Sequence, residues 1–142
     1  FAKGDQYRAD LAGSELSDLY RFRGLQDLGV PVVASSDAPY GPVNPWQVIA
    51  TAANRQTSSG AVIGLNERVG VEPALAGYLT STSALNQGAS FARVRKGEAG
   101  VPAELCVVDR EWSEVRRKAE SVSVRATLIG GSVAFDGESS DP

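Results

Sequence analysis

The stretch Gly29–Arg55, GVPVVASSDAPYGPVNPWQVIATAANR, decides how the rest of the chain is read. Past Gly29 and Pro31, residues Val32, Val33 and Ala34 form a short apolar run, long enough for a strand buried on both faces. Ser35, Ser36 and Asp37 stand at its carboxyl end, and Ala38-Pro39-Tyr40-Gly41-Pro42 makes an irregular loop. Asn44 before Pro45 reads as an N-cap and first helical position: the amide side chain accepts an orphan N–H, and proline has none to lose. Trp46, Ile49, Ala50 and Ala53 keep helical spacing behind it. The unit is strand, acidic loop, helix, and it predicts an α/β class. In parallel α/β folds the loops at the strands' carboxyl ends converge on one mouth, which makes Asp37 the candidate site residue. Asp before Ala-Pro is also ordinary turn chemistry, and by spacing alone that reading leads.

Working outward, residues 1 to 18 are polar and punctuated by glycine and read as mostly loop, with Phe1, Tyr7 and Leu11 as anchors. A helix is predicted over Leu19–Leu28, stopped by a left-handed C-cap at Gly29. Its apolar residues recur every three positions, so it has no clean wet face. Gln56–Gly70 reads as loop with Val62, Ile63 and Leu65 turned inward. Val71, Leu75, Tyr78 and Leu79 make a helical stripe with Pro73 near its start, and a short helix is expected over Ser81–Gln87. Further on, Leu105–Val108 is an apolar strand and Glu111–Glu120 a loop or single helical turn. Val122, Val124, Ala126 and Leu128 alternate with polar residues as in a half-buried strand, and Gly130-Gly131 turns it back through Ser132–Phe135.

With 142 residues the chain can bury a core of its own, and 14 basic against 17 acidic residues, a net charge of -3, argue against nucleic acid and anionic membranes as partners. No apolar run approaches the roughly 20 residues that span a bilayer. No charged-then-apolar leader opens the chain, so a soluble, cytoplasmic protein is expected. There is no histidine, which excludes an internal Ser-His-Asp triad and any histidine-ligated metal. The one cysteine, Cys106, lies among Leu105, Val107 and Val108 and is expected to be buried as a small hydrophobe. Methionine is absent even at position 1, so the chain reads as a fragment or a piece of a processed protein.

Five pieces in order carry a resemblance: GVPVVASSDAPYGPVNPW from Gly29, a helix closing on Asn54-Arg55, VEPALAGYLTSTSALNQG from Val71, RKGEAGVPAELCVVD from Arg95, and VSVRATLIGGSVAFDG from Val122. Together, from about Arg21 to Gly137, they resemble the carboxyl-terminal third of the amidohydrolase superfamily, closest to the family-3 branch that includes N-substituted formamide deformylases.

The resemblance implies the carboxyl-terminal part of a (β/α)8 TIM-like barrel, its last strand and helices, plus the carboxyl-terminal strands of a β-sandwich. Residues 1–92 would be the barrel portion, 93–137 the sandwich strands of a composite domain, and 138–142 a disordered tail. Residues 31–36 would be the eighth barrel strand. The family's strand-eight aspartate maps onto Asp37, where it touches a divalent metal, zinc being the expected ion, or the metal-bound water, and shuttles a proton to the leaving nitrogen. Asp37 would thus be both catalytic and a metal-ligand candidate, the other ligands lying upstream of Phe1. Ser36, Pro39 and Asn44 would shape the rim, with turn and cap roles sufficient for Ser36 and Asn44. Arg55 matches a recurring arginine that the helix dipole alone explains. In the sandwich the family's Gly-Lys-x-Ala-Asp is replaced by Val101-Pro102-Ala103-Glu104-Leu105, and Glu104 reads as a structural strand opener.

The function expected is metal-dependent hydrolysis of an amide-type C–N bond, inactive without the amino-terminal remainder of the protein. The expected partners are that remainder and a small-molecule amide, with a homo-oligomer left open. The rival expectation is a non-catalytic structural or binding module that pairs its exposed strands with another chain. A third is a related hydrolase branch acting on a cyclic amide or a base.

Overall fold

The computed structural model describes residues 1–80 and 97–138, so the helix expected over Ser81–Gln87 lies outside the described residues. In chain order the described part holds α1 (Gly4–Asp10), α2 (Gly13–Ser17), α3 (Phe22–Asp27), α4 (Pro45–Asn54), α5 (Val71–Leu79), β1 (Leu105–Val108), α6 (Trp112–Val115), β2 (Val124–Ile129) and β3 (Ser132–Asp136). Short 3-10 turns occupy Leu65–Glu67 and Ala119–Ser121.

The central helix α4 forms as its sequence dictates. Asn44 Oδ1 accepts the N–H of Trp46 at 2.9 Å, Pro45 opens the first turn, and Trp46, Ile49 and Ala50 are buried. They meet Val69, Val71 and Ala74 on one side and Val115, Ala119 and Val122 on the other. One apolar cluster therefore joins the helical first part of the chain to the segment that leads into β2. On α5 the buried residues are Val71, Ala74 and Gly77, with Leu75 and Tyr78 only half-buried, so the stripe turns toward its small residues. The reason is close approach: Gly77 O accepts the N–H of Ala34 at 3.0 Å, and a Cβ on Gly77 would stand 3.0 Å from Ala34 Cβ.

The three strands form an antiparallel meander in the order β1-β2-β3. Gly130 and Gly131 both adopt positive φ, 58° and 83°, as a two-residue hairpin requires. Val122 is buried and Val124, Ala126 and Leu128 are half-buried, while Ser123 and Arg125 face outward, as the alternation predicts; Thr127, expected to face outward with them, is half-buried, where the β2–β3 register shifts between Thr127 and Leu128. At the other end of the ladder Arg110 grips Asp109 with two nitrogens, at 2.9 and 2.6 Å, and Asp109 Oδ1 accepts the N–H of Ser123 at 3.0 Å. The Arg110 guanidinium holds the Asp109 carboxyl well below the usual carboxylate range.

Several expectations are corrected. Residues 31–36 are extended but enter no strand ladder among the described residues; their backbone tie is the Ala34–Gly77 hydrogen bond. The helix expected from Leu19 begins only at Phe22, because Tyr20 sits in the left-handed region at φ 52°; its end at Gly29, φ 71°, is as read. Cys106 is exposed: in β1 only Val108, at its far end, packs against the core. Val62 and Leu65 also face outward, and Thr57, Glu67 and Val69 take the inward places of that loop.

Residues 1 to 18, read as loop, contain α1 and α2. The tie that orders α1 is remote in sequence: the Asp5 carboxylate accepts the hydroxyls of Ser59 and Thr57, both at 2.6 Å, that of Ser58 at 2.8 Å, and the Ser59 N–H at 3.0 Å. These hydrogen bonds, those of the Ser59 and Thr57 hydroxyls foremost, hold the Asp5 carboxyl well below its ordinary range. A carboxyl depressed in the folded state stabilises fully above its unfolded pKa of about 3.9, and that contribution is lost as pH falls below it. Asp5→Asn is therefore expected to lower the unfolding midpoint at neutral pH, with the gap from the parent closing on acidification below about pH 4. A gap that stays constant through that range contradicts the assignment.

Candidate functional site

The segment that ends on Asp37 is amphiphilic along its length rather than across it. Val32, Val33 and Ala34 are half-buried and Ser35 and Asp37 exposed, so the chain emerges from the packed interior as it reaches the carboxylate. A tight turn follows. Asp37 lies at φ 53°, its N–H donates to Ser35 Oγ at 3.2 Å, and its carbonyl accepts the N–H groups of Tyr40 at 2.9 Å and Gly41 at 3.4 Å. Only glycine fits at position 41, because a Cβ there would lie 2.0 Å from Ser36 O. The backbone of Asp37 is thereby spent on the turn, while its carboxylate takes no hydrogen bond recorded among the described residues and projects from the surface.

Beside this turn opens a cavity of about 480 Å³, walled by Val33, Ile49 and Tyr78 within and by Tyr20, Asp37 and Tyr40 toward the mouth. Asp37 is thus exposed yet at a cavity wall. Ser36 lines the same cavity, whereas Asn44 is occupied as the cap of α4. Lys3 places its ammonium 5.0 Å from the Tyr40 ring centroid, and the Tyr7 and Tyr20 rings stand 6.3 Å apart. The Tyr20 phenol pKa is pushed up to about 12, first by the Tyr7 hydroxyl and by burial, with the charge of Asp37 adding to the effect.

Arg55 does more than meet a helix dipole. As the left-handed C-cap of α4 (φ 58°) it sends its guanidinium to three carbonyls: Leu19 at 2.8 Å, Tyr20 at 3.2 Å and Ile63 at 3.0 Å. Burial pushes its pKa down and the Glu67 carboxylate opposes that. Glu67, only 8 % exposed, accepts the N–H of Gly24 at 2.8 Å in the first turn of α3 and faces Arg21 at 3.8 Å. No spacing rule singles out Glu67 or Tyr20; a Glu in a Gly-rich loop and a Tyr before a basic pair look like solvated surface.

The sequence profile of the amidohydrolase family matches residues 5–135. The chain belongs to the amidohydrolase family. Over 120 residues this amidohydrolase chain is 34% identical to an N-substituted formamide deformylase of Arthrobacter pascens, a match that covers 83% of the chain and 22% of that relative. The chain therefore spans about a fifth of the length of the curated relative it matches. No solved structure matches it.

Family membership implies a TIM-barrel-like fold for the whole protein, of which the described residues are a small α/β piece with a three-stranded antiparallel sheet. The residues of this amidohydrolase chain do not by themselves fit a metal. Histidine is absent from the sequence, Cys106 is in β1, and no group of three or more Cys, Asp or Glu that could hold an ion occurs among the described residues. Asp37 is at most one ligand of a set. No helix among the described residues is long and apolar enough to cross a membrane.

Proposed function

We propose that the chain is the carboxyl-terminal part of a hydrolase that cleaves the C–N bond of an N-substituted formamide, releasing formate and an amine. The observation that carries the reading is the placement of Asp37: an exposed residue, its backbone locked in a turn, on the wall of a cavity, at the end of an apolar segment. The family match and the deformylase named above supply the reaction class.

In this reading Asp37 moves a proton twice. Water adds to the formyl carbon, and its proton passes to the Asp37 carboxylate; the C–N bond then breaks as the protonated Asp37 returns that proton to the nitrogen, which leaves as a neutral amine. Without the second transfer the leaving group would be an amide anion, a far worse one. The turn fixes the backbone that carries this carboxylate. The amidohydrolase family is in general metal-dependent, and a divalent metal, with zinc the first to test, would be held by residues of the longer protein rather than by this chain.

The same geometry gives the second reading some support. Residues 31–36 enter no ladder among the described residues, which leaves their backbone open to pairing with a strand from elsewhere. In the hydrolase reading that strand belongs to the same protein; in the rival, to the partner of a non-catalytic module. The test is formate release from N-substituted formamides by the protein encoded by the complete reading frame, with and without a metal chelator. Turnover lost to the chelator and restored by zinc is the expected result, together with no turnover by the 142-residue chain alone. A complete protein that binds a partner chain but hydrolyses no amide would establish the rival.

A further inference from the structure

Among the described residues, the non-glycine residues in the left-handed backbone region are Tyr20 (φ 52°), Asp37 (φ 53°) and Arg55 (φ 58°), and all three line the cavity beside Asp37. Bulky residues adopt that conformation only where surrounding structure imposes it, and such positions gather at functional sites. Arg55 has a structural reason, as the C-cap of α4. Asp37 has the tight turn and the role proposed above.

Tyr20 stands in the turn that follows α2 and joins it to α3, and it is 66 % exposed, so its left-handed backbone is set by hydrogen bonds and not by burial of the ring. What holds it is Arg55, whose guanidinium donates to the carbonyls of Tyr20 and of Leu19 before it, while the Phe22 N–H donates to Tyr20 O at 2.7 Å. A half-buried cation carried by α4 thus fixes the backbone of Tyr20, which lines the cavity together with Asp37. The phenol is protonated at neutral pH, as any tyrosine is, and its hydroxyl meets that of Tyr7, so it serves a ligand in the cavity by turning its hydrogen bond from Tyr7 to that ligand.

We propose that Tyr20 contacts the substrate at the Asp37 site, donating its phenolic O–H to the carbonyl oxygen of the bound formamide. This deepens the hydrolase reading and rests on it. A fixed donor there orients the carbonyl, and it stabilises the oxygen further as negative charge grows on it during addition of water. Asp37 and Tyr20 then divide the work: one carboxylate for the proton, one phenol for the oxygen.

The test uses the complete protein and an N-substituted formamide, with kcat and KM measured for Tyr20→Phe and Tyr20→Gly beside melting temperature. Tyr20→Phe keeps ring and backbone and is expected to lose on the order of 100-fold in kcat, with a smaller change in KM and an unchanged melting temperature. Tyr20→Gly relaxes the left-handed backbone, so it should melt no lower than the parent and yet lose at least as much activity, a pattern that a merely structural tyrosine cannot give. An active parent whose Tyr20→Phe variant retains its kcat overturns the assignment and leaves the hydrolase reading standing. A complete protein inactive on every formamide tried overturns that reading, and the role of Tyr20 with it.

Discussion

Asp37→Asn in the complete protein is expected to lower kcat for formamide hydrolysis by about 100- to 10,000-fold, the range that a positioned proton-transfer group supplies. The substitution isolates the chemistry because asparagine disturbs little else. It has the size of aspartate, and of the non-glycine residues it is among the most tolerant of the left-handed conformation found at position 37. The turn hydrogen bonds to Asp37 use its backbone N–H and carbonyl, which the substitution leaves in place. An amide oxygen can still hold water by a hydrogen bond, but it cannot accept a proton and hand it to nitrogen. KM should change much less than kcat, and the melting temperature should not move. Unchanged turnover in Asp37→Asn would remove the proton-transfer role outright.

Ile49→Ala is expected to destabilise the fold by about 3 kcal/mol, within the range for large-to-small changes in a packed core. Ile49 is 1 % exposed, lies in the middle of α4 and belongs to the apolar cluster shared by α5 and the segment leading into β2. It also lines the open cavity, so water reaches part of the space that truncation leaves, and the expected cost lies within the range for such changes and below its upper end. Val43→Ala is the matched control: Val43 is 82 % exposed, and its truncation should move stability by no more than about 0.5 kcal/mol. Chemical denaturation of the two variants beside the parent reads both values. Equal, small effects would show that α4 is not the centre of the core.

What could be read from the sequence and what could not divide along a physical line. Asn44-Pro45 opens α4, Gly29 closes α3, and Gly130-Gly131 turns the hairpin, all as read. Each depends on a preference of the residue itself or on a hydrogen bond spanning two or three positions. The loop assigned to residues 1–18 failed because α1 is tied down by hydrogen bonds that the Asp5 carboxylate accepts from Thr57, Ser58 and Ser59, which a local reading does not contain. Cys106 was misplaced for a related reason: an apolar strand reads as buried, but which of its residues pack against the core is a property of the whole fold.

The site divides in the same way. The local pattern alone favoured a turn role for Asp37; it became the candidate through the order of the surrounding motifs, which pointed to the amidohydrolase family before any geometry was available. Tyr20, Glu67 and the three-carbonyl grip of Arg55 could not be picked out. A left-handed φ at tyrosine contradicts the residue's own preference, and it persists only because Arg55, far along the chain, holds its carbonyl in place. The sequence by itself determined the start of α4, the end of α3, the hairpin turn, the family and the candidate carboxylate, since each rests on short-range chemistry or on the order of motifs. Only the tertiary structure decided which face of α5 turns inward, what Arg55 and Glu67 bind, and that Tyr20 and Asp37 share one cavity. Those outcomes are set by contacts between segments that the chain brings together only once it has packed.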